Sequence, residues 1–296
     1  MRRAGDERDR LAIVSTRAGH DGDGVCAWDG AELIFRSTIS HTKNMRITVI
    51  NLARRPDRMT AMAKQLERLG LAFERFDAVD AKTCDPARLN APFAAHGAMA
   101  ELTPGDKACT TSHMVLWKRI AAGDDSHAVI LEDDVLLSDA ATPFLKNADW
   151  IPKEAGLIKI ERFGDKDQLT LIGHGTAVLG REVVPLLSRH PGSGGYIISR
   201  EKAALLAAMT EKIAVPIDQL LFNPIYSPLF RALNPWQLIP AIVEQRAEVG
   251  GTTDIKRARA PFAKKFARDA RSLANLPRQI ASVLSGKARA VKIGIA

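Results

Sequence analysis

The pattern of apolar positions changes near residue 45 and then alternates between strand-like and helix-like segments. Residues 46–51, Arg-Ile-Thr-Val-Ile-Asn, are rich in β-branched side chains and predict a buried strand. Pro56 suits the first position of a helix that runs to about Gly70, and Phe73 to Val79 predict a second strand. This β-α-β order is typical of an α/β domain with a mainly parallel central sheet.

A second helix has its own start and stop signals. Thr103-Pro-Gly-Asp106 supplies an N-cap, a proline for the first turn and an acidic capping-box residue, and Gly123 ends the helix. The short buried strand predicted at His127–Leu131 is followed directly by Glu132, Asp133 and Asp134. Further strands are predicted at 156–160, 169–172, 177–179 and 195–198, and a helix at 199–209.

Two outer segments differ from residues 45–255, which form the predicted domain. Residues 1–44 lack steady periodicity, and we interpret them as a poorly ordered extension or a mis-assigned start. Residues 256–296 hold eleven Lys or Arg and one acid, so the rest of the chain is slightly acidic and nucleic acid is not an expected partner. An apolar stripe, interrupted by Pro277, indicates a basic amphipathic helical tail: Phe262, Phe266, Leu273, Leu276, Ile280 and Leu284.

The tail and the cysteines indicate where the protein works. A basic amphipathic tail either lies on an anionic membrane surface or docks on its own domain with a solvated basic face. No apolar run is long enough to span a bilayer, and the basic N-terminus is not followed by the apolar stretch of a secretory signal. The three cysteines are widely spaced, which disfavours a disulfide scaffold. We therefore expect a cytoplasmic protein, with peripheral attachment to the inner face of the membrane.

The acidic run is the strongest chemical signal. Adjacent strand side chains alternate in direction, so Glu132 and Asp134 are predicted to face the same way, at the strand end where α/β folds bind ligands. Carboxylates suit Mn²⁺ or Mg²⁺, and such an ion stabilises the charge on a departing nucleotide diphosphate. The alternative from sequence alone is a solvated acidic surface turn.

Four segments in order resemble glycosyltransferase family 25, the lipooligosaccharide-type galactosyl- and glucosyltransferases. They are Val49–Arg58 with Phe76–Asp80, Leu102–His113, Ala128–Val135, and Gly195–Ser199 with Pro216–Asp218. The resemblance covers roughly residues 45–240. It implies a GT-A-like, nucleotide-sugar-binding domain, inverting sugar transfer, and a metal motif at Glu132–Asp134. The chain departs from the family at Asp106-Lys-Ala-Cys109, where Glu-Ile-Gly-Cys is usual, and at Thr110-Thr111, where a small apolar pair is usual.

Several residues are candidates for binding the donor. Arginines after the first strand suit a diphosphate, although an Asp57–Arg58 surface pair is an alternative. Ser112 lies outside any G-x-S-x-G nucleophile elbow, and His113 either contacts the donor or acidic loop or is an ordinary core histidine. The predicted donor-binding set is Asn51, Arg54, Arg55, Arg58, Ser112, His113 and Asp133, with Glu132 and Asp134 as metal ligands.

Inverting transfer needs a base that accepts the proton of the acceptor hydroxyl. Asp218, where a loop turns into a helix, is the first candidate, and an ordinary helix N-terminal Asp is the alternative. Glu161 and Asp165 are the second choices. The glycine-rich segment Gly192–Gly195 is interpreted as a turn near the acceptor cleft.

The resemblance and the acidic run together predict transfer of galactose or glucose from a UDP-sugar to a saccharide or glycolipid acceptor. One alternative is a sugar nucleotidyltransferase or phosphohydrolase, but residues 51–58 lack the glycine-rich nucleotide loop of the former. The other alternative is a non-enzymatic membrane or nucleic-acid adaptor, but that function gives the acidic run no role.

Overall fold

The computed structural model describes residues 14–16, 44–163, 169–245, 276–277 and 279–295. Its strands are β1 (Val14–Thr16), β2 (Arg46–Asn51), β3 (Glu74–Asp77), β4 (His127–Glu132), β5 (Val135–Leu137), β6 (Leu157–Lys159), β7 (Glu161–Arg162), β8 (Leu169–Ile172), β9 (Thr176–Val178), β10 (Arg181–Pro185), β11 (Gly195–Ser199), β12 (Trp236–Ile239), β13 (Val243–Gln245) and β14 (Arg289–Lys292). Its α-helices are α1 (Pro56–Arg68), α2 (Pro86–Asn90), α3 (Pro104–Ala122), α4 (Thr142–Lys146), α5 (Arg200–Ala207), α6 (Ile217–Phe222) and α7 (Phe230–Leu233), and Asp139–Ala141 form a 3₁₀ helix.

Within these residues, the largest sheet has the strand order β1-β3-β2-β4-β11-β6-β12-β10-β9. The strands from β1 to β4 are parallel to one another. β11 is antiparallel to both β4 and β6, β12 is parallel to β6, and β10 is antiparallel to β12 and β9. The α/β prediction is confirmed, but the sheet is mixed: the expected parallel order holds in the half that ends at β4.

Two apolar clusters cover the two faces of this sheet. One contains Met62 and Leu66 of α1, and the other contains Leu116 and Trp117 of α3 with residues of α5 and α6. In β4, Val129 and Leu131 belong to the α1 cluster and Ile130 to the α3 cluster. Because strand side chains alternate, Glu132 at the end of β4 faces α3.

The predicted elements nearest the acidic run are confirmed. α3 begins with the expected capping box: the Thr103 hydroxyl accepts from the Asp106 amide at 3.1 Å, and the Asp106 carboxylate accepts from the Thr103 amide at 2.9 Å. Ser199 caps α5 through the Lys202 amide. None of the described helices is long and apolar enough to cross a membrane.

The outer segments are only partly described. β1 lies inside residues 1–44, and the rest of that extension falls outside the described residues apart from Asn44. In the tail, residues 279–284 are helical, but residues 289–292 form β14, which pairs antiparallel with β8. The prediction of a helical tail is therefore wrong for its end, where backbone pairing with β8 and burial of Ala288 and Ile293 favour a strand. Phe262, Phe266 and Leu273 lie outside the described residues.

Candidate functional site

The site is built at one edge of the large sheet. The register pairs Asn51 with Asp77 and Ile50 with Glu132, so β2, β3 and β4 all end there. β11 runs the opposite way, which brings the loop before it to the same edge, and the Glu132 amide donates to the Gly194 carbonyl at 2.9 Å. The ends of three strands and one loop thus meet where parallel strands of α/β folds bind ligands.

Glu132 points from this edge towards α3. Its Oε1 accepts a hydrogen bond from the Ser193 hydroxyl at 2.8 Å and lies 3.5 Å from Nε2 of His113. Burial raises the pKa of Glu132, but the contacts with His113 and Ser193 and the charge of Lys159 outweigh burial, so the pKa is lowered. Glu132 is therefore held as a carboxylate.

Asp133 is tied to β2 and α1 instead. Its Oδ2 accepts from the Asn51 side-chain amide at 2.6 Å, and its Oδ1 accepts from Arg58 at 3.2 Å. The same Asn51 amide also donates to the Arg55 carbonyl at 2.9 Å, and its oxygen accepts from Arg75 at 2.9 Å. Burial raises the pKa of Asp133, against the opposing effects of Asn51 and Arg58. Asn51, Arg58 and Asp133, three predicted donor-binding residues, form one network.

Asp134 lies in the turn after β4. The strand ends at Glu132, so the alternation that predicted a common direction for Glu132 and Asp134 does not extend to Asp134. Its Oδ2 lies 3.6 Å from Arg58, whereas its Oδ1 is buried and has no hydrogen-bond partner in the described part of the chain. Burial and the charge of Glu132 raise the pKa of Asp134 to about 7.

These atoms fit an oxygen-liganded divalent cation. A buried carboxylate oxygen without a partner is costly, and a cation satisfies it directly. The charge of Glu132 raises the pKa of Asp134, and a bound cation would offset this repulsion between the two carboxylates. Their donor chemistry is that of Mg²⁺ and Mn²⁺.

Three successive residues of the loop before β11 each bind a different carboxylate. The Gly192 amide donates to Asp218 at 3.3 Å, the Ser193 hydroxyl to Glu132, and the Gly194 amide to Glu161 at 3.1 Å. The segment predicted as a turn near the cleft thus positions two of the three candidate bases and one candidate metal ligand. We call Gly192–Gly194 the carboxylate loop.

Glu161 is fully buried beside Lys159. The Lys159 ammonium donates to Oε2 of Glu161 at 2.5 Å and to the Gly192 carbonyl at 2.6 Å, and it stacks 4.8 Å from the Phe222 ring centre. Burial raises the pKa of Glu161 to about 7, against the opposing charge of Lys159. Asp218 is 7% exposed and also accepts from Gln219 at 2.6 Å. Asp165 lies outside the described residues.

Other predicted donor residues have partners away from the acidic run. Arg54 bonds Asp80 at 2.7 Å, and Arg55 forms a two-bond pair with Asp57. The alternative Asp57–Arg58 surface pair is wrong, because Arg58 reaches the acidic run. The hydrogen bond from Arg55 lowers the pKa of Asp57 to about 2.

Ser112 and His113 are buried on α3. The Ser112 hydroxyl accepts from the Val79 amide and donates to the Ala108 carbonyl, each at 2.9 Å. The hydroxyl thus already donates one hydrogen bond and accepts another within the fold. The Nε2 atom of His113 lies 3.5 Å from Glu132 Oε1. The Nδ1 atom on the other side of the ring lies 2.8 Å from the Tyr196 hydroxyl.

The sequence analysis missed three residues of the site: Lys159, Ser193 and Tyr196. Lys159 and Glu161 stand two apart in an otherwise apolar strand, and that spacing signals a pair on one face. Ser193 gave no signal beyond its flanking glycines, since its contact with Glu132 is 61 residues away. Tyr196 resembled an ordinary strand residue.

Comparison with known proteins identifies the family of this chain. Residues 44–221 match the family described as Glycosyltransferase family 25 (LPS biosynthesis protein). The chain is 31% identical over 214 residues to the lipooligosaccharide biosynthesis protein lic2B of Haemophilus influenzae, covering 68% of this chain and 76% of that one. It is also 31% identical over 220 residues to the lacto-N-neotetraose biosynthesis glycosyltransferase LgtB of Neisseria meningitidis serogroup B, covering 68% and 75%. The chain is a glycosyltransferase, and it belongs to glycosyltransferase family 25.

Proposed function

We propose that this glycosyltransferase is a metal-dependent, inverting enzyme that moves galactose or glucose from a UDP-sugar to a saccharide or lipooligosaccharide acceptor. The observation that carries the proposal is Asp134 Oδ1, which is buried and has no hydrogen-bond partner within the described residues. The same carboxylate also feels the charge of Arg58 and a side-chain hydrogen bond with Gln245, which oppose the rise in its pKa. Relatives described as lipooligosaccharide and lacto-N-neotetraose biosynthesis proteins support the acceptor class. In this proposal residues 45–255 form a GT-A-like domain.

Glu132 and Asp134 would hold Mn²⁺ or Mg²⁺, which supplies positive charge to the departing diphosphate when bound. Arg58 lies within 4 Å of both Asp133 and Asp134, and in this proposal its guanidinium would bind the diphosphate held by that ion. Asn51 fixes Asp133 and thereby the start of α1, and Arg54 and Arg55 flank the same turn. A fixed cationic edge of this kind favours a negatively charged leaving group.

Asp218 is the proposed base. In inverting transfer the acceptor oxygen attacks the anomeric carbon as the bond to the diphosphate breaks, and the hydroxyl proton passes to a carboxylate. Asp218 is slightly exposed and is oriented by the Gly192 amide, whereas Glu161 is 0% exposed and engaged with Lys159. Glu161 is therefore the second choice.

Donor turnover tests the proposal. The purified full chain is incubated with a panel of UDP-sugars and Mn²⁺, with and without EDTA, and UDP release is measured. Asp134→Asn should abolish the metal-dependent release and remain folded, whereas Asp139→Asn, whose side chain is 82% exposed, should match the wild type. Undiminished release by Asp134→Asn would overturn the metal role. Release of pyrophosphate or phosphate would favour a nucleotidyltransferase or phosphohydrolase, and absence of donor binding would favour an adaptor.

An anionic membrane surface at the cytoplasmic face is the proposed second partner. Leu276, Ile280, Val283 and Leu284 are 44%, 49%, 41% and 82% exposed, and they recur at helical spacing in the basic tail. Truncation is a poor test, because Ala288 and Ile293 are buried. Ile280→Glu with Leu284→Glu should weaken binding to vesicles containing anionic lipid, whereas Leu179→Glu, at a 57% exposed site elsewhere, should not. Equal binding by all three proteins would exclude this surface.

A further inference from the structure

Three side chains of different chemistry converge between α3 and the end of β4. Cys109 and His113 stand one turn apart on α3, and Glu132 faces them from the sheet. One ligand atom from each, the Cys109 sulfur, a His113 ring nitrogen and a Glu132 oxygen, can be chosen so that all lie within 4.8 Å of one another. Residues four apart on a helix share a face, which is why the cysteine and the histidine point to the same place.

The contact between His113 and Glu132 leaves room for a cation. Nε2 of His113 is buried and lacks a hydrogen-bond partner among the residues that the structure covers, although Glu132 Oε1 is 3.5 Å away. That distance is too long for a good hydrogen bond. It matches the roughly 3.5 Å between two ligands of a tetrahedral ion with bonds of about 2.0–2.3 Å.

The other side of the imidazole is supported as in a metal-binding histidine. Nδ1 of His113 lies 2.8 Å from the Tyr196 hydroxyl oxygen, to which the Trp117 indole also donates at 3.0 Å. Histidine ligands commonly donate their second ring N–H to such a partner, which fixes the ring and directs the free nitrogen at the ion. Here the free nitrogen, Nε2, lies 3.5 Å from Glu132 Oε1.

We propose that Cys109, His113 and Glu132 form a site for a thiophilic divalent cation of the zinc class. Binding forms a metal–sulfur bond as the Cys109 thiol releases its proton to solvent. A thiolate and a carboxylate together neutralise a divalent charge, and sulfur favours zinc over manganese or magnesium. The Glu132 side chain is 20% exposed, so solvent can reach this side of the site and supply a fourth ligand.

This site shares Glu132 with the oxygen-liganded site at Asp134. A zinc-class ion bound by Cys109 and His113 withdraws Glu132 from the ion that serves the donor. Resting on the proposed function, the consequence is that Zn²⁺ inhibits Mn²⁺-dependent donor turnover, and that the inhibition depends on Cys109.

Cobalt is the spectroscopic probe for the site. Titration of the full metal-free chain with Co²⁺ should produce a thiolate-to-cobalt charge-transfer band at one ion per chain, which Zn²⁺ removes. Cys109→Ser should eliminate the band and lower Zn²⁺ affinity at least about 100-fold. The matched controls are Cys84→Ser, a buried thiol that packs with Leu89 and Ala108, and Cys26→Ser, and both should keep the band.

Two further measurements complete the test. Cys109→Ala repeats the experiment without a hydroxyl, and thermal unfolding verifies that each variant is folded. A band that survives both Cys109 variants, or a fall in Zn²⁺ affinity below about 10-fold, overturns the site. A Cys109-dependent band without UDP release under any condition overturns the proposed function alone. Mn²⁺-dependent release without such a band overturns the zinc site alone.

Discussion

The Lys159 ammonium and the Glu161 carboxylate lie 2.5 Å apart, and both side chains are completely buried behind the acidic edge. Alternation along β6 and β7 directs both residues to the α3 face of the sheet. Lys159 also binds the Gly192 carbonyl, so this ion pair anchors the carboxylate loop.

Loss of the lysine should therefore be severe. Lys159→Met leaves Glu161 buried without its cation, and we expect the free energy of unfolding to fall by about 3–5 kcal/mol. The double variant Lys159→Met, Glu161→Gln should recover part of the loss, because no buried charge remains. Urea denaturation measures both. The control is Lys202→Met, which removes a pair with the exposed Glu201 and a hydrogen bond to the Ala232 carbonyl, and it should cost no more than about 2 kcal/mol. Equal losses at Lys159 and Lys202 would contradict this account.

The carboxylate loop tolerates no side chain at Gly192. This residue has φ +90, and an added Cβ would lie 2.7 Å from Glu161 Oε1. Gly180 also has a positive φ, of +77, but no described atom lies within 4 Å of its added Cβ. Gly180→Ala should cost about 1–2 kcal/mol from backbone strain alone, and Gly192→Ala about 1–3 kcal/mol more from crowding. Thermal and urea unfolding compare the two, and equal costs would show that the crowding is relieved.

Ser193 is a positioning residue for Glu132. Ser193→Ala removes the 2.8 Å hydrogen bond to Oε1 while leaving the fold and the carboxylate in place. We expect Mn²⁺ affinity to fall about 10-fold, since supporting residues of metal ligands have effects of this size. Calorimetric titration of Mn²⁺ measures it, and saturating Mn²⁺ should restore kcat. Ser285→Ala, at an exposed site in the tail, is the control. Unchanged Mn²⁺ affinity in Ser193→Ala would remove Glu132 from the proposed metal set.

His190 should make the fold sensitive to acid. Burial lowers its pKa from 6.5 to about 3, and the nearby Lys159 charge acts in the same direction. The folded pKa lies below the unfolded pKa, so this stability is present above pH 6.5 and is lost as the pH falls towards 3. Between pH 7.5 and 5.5, the unfolding free energy should drop by about 1.4 kcal/mol from this group.

His190→Gln should remove that part of the pH dependence, as measured by urea unfolding at both pH values. His96→Gln is the control, because the His96 side chain is 84% exposed. If the pH dependence of His190→Gln equals that of the wild type, the histidine is protonated in the folded state.

The sequence predicted the elements whose signals are local. Thr103, Pro104 and Gly123 mark both ends of α3, and the β-branched run before Asn51 marks β2. β12, β13 and β14 were missed because they are short and are stabilised by pairing with distant strands. The acidic run lies at the end of β4, as predicted, but the contacts of each carboxylate depend on partners from remote segments.

Two contacts of the acidic run join residues that are far apart in the sequence. Glu132 meets Ser193, and Asp133 meets Asn51, 82 residues earlier in the chain. A single sequence shows neither contact. Lys159 was overlooked although Glu161 stands two residues later, because the sequence does not show that both side chains are buried.

The alternation of side chains along β4 determines which face of the sheet each carboxylate of the acidic run points to. Glu132 faces the α3 layer because Ile130 does, and Asp133 turns back to Asn51 and Arg58 at the α1 layer. Deletion of one residue within β4 would exchange these two environments. The carboxylate that now meets His113 would then take the position of Leu131, inside the apolar cluster that contains α1. The protein should therefore accept many substitutions within this strand, yet reject any change in its length.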